Sequence, residues 1–191
     1  FFFLCFRTGL GDPMSKSDSA FEYEPERHSF QWVELPGGKR GLRDVGTKSV
    51  VEYDKLRANG IIVAGLDLAL GEKDSSDYSA IVISLIDETG KLWVLDTWSG
   101  KEKPAITGDR ALDLCSEWQA DVLTIERTSF EQILIDQIQH KVDSLRMEGK
   151  YAPDIRVEKS QRGGMGKFAH ILSLQWRFKK EFIKIPLAGS Y

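Results

Sequence analysis

The sequence predicts an α/β protein: a mixed sheet of three antiparallel strands followed by α-β units, flanked by helices. Three observations carry this reading. Three β-branched, apolar runs follow one another from Gly60. After them, helical periodicity alternates with short apolar runs. A tight turn joins the second and third runs.

The elements follow in order. Ile61 to Leu70 reads as a buried strand, and Gly71 to Asp77 as a polar loop. Ser79 to Ile86 is a second strand, Asp87-Glu88-Thr89-Gly90 a hairpin turn, and Lys91 to Trp98 a third strand. Ala111, Leu114, Cys115 and Trp118 then fall on one helical face. Asp121 to Glu126 is a strand. Ser129 and Gln132 form a capping-box pattern that opens a helix burying Phe130, Ile133, Leu134, Ile138 and Leu145 and ending near Gly149. Asp154 to Lys159 is a fifth strand, Gln161 to Gly166 a Gly-rich loop, and Lys167 to Phe182 a helix with Phe168, Ile171, Leu172 and Phe178 on its apolar side. A short strand begins at Ile183-Lys184-Ile185-Pro186. The tryptophans Trp93, Trp98, Trp118 and Trp176 are expected to pack in the core rather than stack on bases.

Residues 1–59 read differently. Turn chemistry at Gly11-Asp12-Pro13 and Leu35-Pro36-Gly37-Gly38, mixed charge and scattered aromatics predict an irregular linker or strap. Phe30-Gln31-Trp32-Val33 is its one short strand and Val50 to Ala58 its one short helix. The apolar opening Phe1 to Phe6 lacks the basic flank of a signal peptide, and there is no initiator Met, so the chain is expected to start within a longer protein.

Charge is unevenly placed. Residues 150–191 hold nine Lys/Arg against three Asp/Glu; residues 1–149 hold 17 against 26, within a net charge of −3. An acidic body with a basic C-terminal stretch suits cation binding at one place and phosphate binding at another, although a solvated basic helix face gives the same pattern. Cys5 and Cys115 are too few for a disulfide framework or a zinc site. No apolar run approaches the ~20 residues of a membrane span, so no membrane partner is expected.

Two acids stand out. Asp67 lies within Val63-Ala64-Gly65-Leu66-Asp67-Leu68, and Glu126 ends Val122-Leu123-Thr124-Ile125-Glu126. A carboxylate in an apolar strand is costly unless it is paired, hydrogen-bonded or bound to a cation. If these strands are neighbours and parallel, both acids reach one site at the strand C-termini, where α/β sheets usually bind ligands. Oxygen donors without a His or Cys cluster suit a hard cation, Mg²⁺ or Mn²⁺, and such sites promote phosphoryl chemistry with two ions. Taken singly, Asp67 could instead cap a turn, and Glu126 could pair with Arg127. Asp77, in the first loop, is an auxiliary acid or the start of an Asx turn. Gly163-Gly164-Met165-Gly166-Lys167 lacks P-loop spacing. It reads either as a loop carrying Lys159, Arg162 and Lys167 toward a DNA backbone or as a plain surface loop.

Several of these runs resemble the nuclease domain of phage large terminases. They are Gly65-Leu66-Asp67-Leu68-Ala69, Ser76 to Val82, Lys91 to Asp96, and Ile125-Glu126-Arg127-Thr128-Ser129-Phe130. The stretch around Lys159 and Lys167 through Ile185-Pro186 is similar to the segment before that family's last acidic motif. The resemblance covers about residues 60–191. It implies a ribonuclease H-like fold, Asp67 and Glu126 as metal ligands, Asp77 as a catalytic auxiliary, and cleavage of concatemeric double-stranded DNA. It further implies an ATPase domain of the same polypeptide before the strap, a portal protein and small terminase subunit as partners, and a place in the host cytoplasm at the procapsid portal. The family's third acidic ligand follows a position like Ile185-Pro186. No such motif appears before Tyr191, so domain 60–191 is expected to be C-terminally truncated. A catalytically incomplete DNA- or portal-binding module of the same fold is one alternative, and a ribonuclease H-like junction resolvase is another.

Overall fold

The computed structural model describes residues 23–68, 78–127, 132–159 and 175–187. Its elements are α1 (Pro25–His28), β1 (Ser29–Leu35), β2 (Lys39–Asp44), β3 (Val50–Glu52), α2 (Tyr53–Asn59), β4 (Ile61–Asp67), β5 (Ser79–Ile86) and β6 (Leu92–Gly100). They continue with α3 (Pro104–Trp118), β7 (Val122–Arg127), α4 (Gln132–Met147), β8 (Asp154–Lys159) and β9 (Ile183–Pro186). The strands form a nine-stranded mixed sheet in the order β3-β2-β1-β9-β6-β5-β4-β7-β8, with flanking helices. Within it, β6-β5-β4-β7-β8 is the ribonuclease H-like arrangement: three sequential strands, then β7 placed beside β4 rather than beside β6.

The chain divides into two compact units. One holds Ile61–Ser84 and Asp96–Gln161. Here β7 pairs in parallel with both β4 and β8. Asp121, at the entry to β7, sets this alignment. Its Oδ2 accepts the Ile62 N–H at 2.7 Å. Its own N–H donates to Ile62 O, and its O accepts from the Asp154 N–H. One residue thus ties the starts of three strands. Ile62, Ala64, Leu66, Leu123 and Ile125 are buried on one sheet face. Helix α3 buries Ala111 and Cys115, and α4 buries Ile135, Ile138 and Val142. Gly108 lets the helices close: a Cβ there would stand 3.2 Å from the Ile138 side chain. At its C-terminus α3 turns through Gln119 in the left-handed region (φ 52°).

The other unit holds residues up to Gly60, Leu85–Leu95 and residues from Arg162 onward. The segment expected to be irregular carries three strands and two helices among its described residues. β1 and β2 form an antiparallel hairpin, Phe30↔Asp44 to Leu35↔Lys39, turned by Gly37 and Gly38 at positive φ. Of the aromatics that looked like loop residues, Phe30 belongs to its core, whereas Tyr23 is 43% exposed. Phe30 is fully buried, edge-on to Trp32 and Trp93. β9 runs parallel to both β1 and β6. His28 is buried; its Nδ1 accepts the Glu24 N–H, and its Nε2 pairs with Phe178 O as donor in the matching neutral tautomer. The hairpin turn at 87–90 forms as expected, with Asp87 Oδ1 accepting the Thr89 and Lys91 N–H groups.

Several side chains depart from the sequence reading. Ile133 is 74% exposed, and Ile135 and Val142 join Ile138 in the core, because the buried stripe of α4 runs through these three and Ile133 stands about 200° round the helix from Ile135. Trp176 is 54% exposed, resting against Phe182 and Arg177, whereas Trp93 is in the core. In the last helix, 175–179 is described and Phe178 is buried. Phe168, Ile171 and Leu172, like Phe130 and Ser129 near α4, lie outside the described residues.

Candidate active site

The parallel register of β4 and β7 is Val63↔Val122, Ala64↔Leu123, Gly65↔Thr124 and Leu66↔Ile125. Carried one residue further, it sets Asp67 beside Glu126, about 4.8 Å apart along the backbone. Leu66 and Ile125 turn into the core at 3% and 0% exposure. By strand alternation, Asp67 and Glu126 emerge on the opposite face, both half-buried. Two acids that are 59 residues apart in sequence thus share one rung at the C-terminal ends of adjacent parallel strands.

The rung extends to β8. Glu126 pairs in register with Glu158, and Arg127 with Lys159. Glu158 was missed in the sequence because its strand, Asp154-Ile155-Arg156-Val157-Glu158-Lys159, is charged rather than apolar. The strand-end rule that singled out Asp67 and Glu126 applies to it equally. One step back along the same face, the next rung is Gly65, Thr124 and Arg156. Among the described residues, no atom lies within 4 Å of where a Cβ would stand on Gly65.

The remaining candidates are placed only in part. Lys159 closes β8, where the sequence reading ended that strand; its side chain lies outside the described residues, as do Asp77, Arg162 and Lys167. Among the described residues, no three His, Cys, Asp or Glu side chains converge as a ready metal cage. The donor chemistry still fits a hard cation: Asp67 and Glu126 offer carboxylate oxygens, without a thiolate or imidazole to favour a softer ion. No described helix is long and apolar enough to cross a membrane.

No protein-family model and no curated protein matches the chain. Among solved structures, it is similar to the Fowlpox virus resolvase in complex with Holliday junction DNA, at 14% identity and a TM-score of 0.37, over 58% of this chain and 68% of that one. It is also similar to the Fowlpox virus Holliday junction resolvase alone, at 12% identity and a TM-score of 0.40, over 65% and 78%.

Proposed function

We propose that this chain is a divalent-cation-dependent DNA endonuclease domain that hydrolyses phosphodiester bonds. The placement of Asp67 beside Glu126, at the open ends of parallel strands, carries the reading. Carboxylates half-buried on one rung repel each other, and a cation between them removes that cost. Mg²⁺ or Mn²⁺ held there would polarise a phosphoryl oxygen and lower the pKa of a bound water. The chain's own part is to hold two oxygen ligands at fixed spacing on rigid strands, which preorganises the site before substrate arrives.

The finer role we propose is the packaging nuclease of a phage large terminase, acting on concatemeric duplex DNA beside a portal protein and small subunit. In this role residues 60–191 form the nuclease domain and residues 1–59 follow an ATPase domain. Its support is the sequence resemblance around Asp67, Ser76 to Val82 and Glu126. Junction cleavage is the second reading. It is the activity named for the two poxvirus structures, and no described residue separates it from linear cleavage.

The test is plasmid nicking in Mn²⁺ by the 191-residue chain, Asp67→Asn and Glu126→Gln, beside cleavage of a four-way junction and a linear duplex of matched sequence. Nicking by the parent alone supports the nuclease reading. Equal nicking by all three sinks the site assignment. Preference for the junction favours the resolvase reading over the terminase one.

A further inference from the structure

We propose that Arg156 binds a backbone phosphate of the DNA and so positions the strand across the Asp67–Glu126 rung. This deepens the nuclease reading and rests on it for the identity of the substrate. Arg156 sits on β8 in register with Thr124, which is itself in register with Gly65. Strand alternation puts all three on the face that carries Asp67, Glu126 and Glu158, two residues back, about 6.6 Å. A guanidinium, a hydroxyl and a bare glycine therefore form one rung next to the carboxylates. The glycine gives the space: among the described residues nothing lies within 4 Å of its missing Cβ. Thr124 can donate one hydrogen bond, and Arg156 can offer a planar fork that matches phosphate oxygens.

The guanidinium is also uncommitted among the described residues. Its own strand flanks it with Asp154 and Glu158 on the same face, yet Asp154 is taken by Arg146 at 2.7 Å, and Arg156 forms no ion pair among the described residues. A cation held one rung from an acidic site, without pairing to it, suits an anion that arrives from outside. The acids would otherwise repel DNA, so a phosphate contact at this distance offsets that repulsion where the strand must approach.

The test is DNA binding in EDTA, where no cleavage occurs, measured by fluorescence polarisation on a labelled duplex across a series of NaCl concentrations. The proteins are the 191-residue chain, Arg156→Gln, Arg156→Lys and, as a charge control, Lys150→Gln. Each phosphate contact contributes about 0.9 to the slope of log K against log salt. Arg156→Gln is expected to lower the slope by about that amount and to weaken binding several-fold at low salt. Arg156→Lys should keep the slope, because a point charge survives, and Lys150→Gln should keep both. An unchanged slope and affinity in Arg156→Gln, with binding by the parent, overturns the proposal. If Asp67→Asn nonetheless abolishes nicking, the nuclease reading stands without it. No binding by the parent to any DNA overturns both.

Discussion

Lys184 Nζ stands 2.8 Å from Asp44 Oδ2, with both side chains at 1% exposure or less. The ammonium also donates to Arg27 O at 2.5 Å. Asp44 Oδ1 accepts the Gly46 and Thr47 N–H groups, so one carboxylate fixes the turn after β2 and fastens β9. Removing one partner strands the other charge in the interior, which typically costs about 3–5 kcal/mol. Lys184→Met should therefore destabilise the chain by roughly 3 kcal/mol, since Lys91 at 3.6 Å offers Asp44 partial compensation. The double variant Lys184→Met/Asp44→Asn should lose less than Lys184→Met alone. Urea midpoints check this; a larger loss in the double variant would refute the pairing.

The same pair sets an acid limit. Burial opposes ionisation of Asp44, but the Lys184 ammonium, the Thr47 N–H and Lys91 outweigh it and hold the carboxyl below its usual range. The sign follows from linkage. A depressed folded pKa means the stabilisation is fully present above the unfolded value of about 3.9 and is lost as pH falls through the folded one. Stability measured from pH 6 to pH 2 should drop in the wild type. In Asp44→Asn this part of the drop should be missing; an identical acid profile in both proteins would exclude Asp44 as its source.

Asp121 offers a separate test of how the active-site rung is built. Its carboxylate clamps Ile62 at the start of β4, five residues before Asp67 on the same strand. Asp121→Ala leaves the Ile62 N–H without this acceptor and should cost about 1–2 kcal/mol. It should also reduce nicking more than a comparably destabilising change in the other unit, such as His28→Ala, because Asp121, unlike His28, ties the starts of β4 and β7. Equal nicking by the two variants at a temperature where both are folded would count against this.

How far the sequence reveals this site depends on the physics of each strand. Asp67 and Glu126 are legible because each breaks an apolar run, and β4 and β7 are central strands buried on one face. β8 is an edge strand, where charged residues are tolerated, so Glu158 and Arg156 sit in a pattern that looks like a surface. Of the strands of residues 29–52, β1 was legible at Phe30 to Val33, whereas β2 and β3 were hidden for another reason. The hairpin of β1 and β2 is short and turns through a Pro-Gly-Gly run, and Phe30 gains its burial from Trp93, 63 residues away. The strands β4, β5 and β6 needed no such distant partner: each is a local apolar run, and Ser79–Ile86 was read to the residue. The loop chemistry at Asp77, Arg162 and Lys167 falls outside the described residues, so those assignments rest on the sequence alone.

Cys115 gives a chemical handle on the stability of the α3–α4 layer. The thiol is fully buried, and burial pushes its pKa up to about 12. At pH 8 the thiolate fraction is negligible, and the aromatic disulfide reagent DTNB cannot reach the sulfur while α3 stays packed. The folded chain should therefore modify Cys115 only through opening, at a rate that rises with urea in step with unfolding. Ile138→Ala, which removes the side chain packed over Gly108, should destabilise by about 2–4 kcal/mol and speed the modification. The comparison is made in Cys5→Ser, so that Cys115 is the sole thiol. Rapid labelling without denaturant would show that the helix pair opens independently of the sheet.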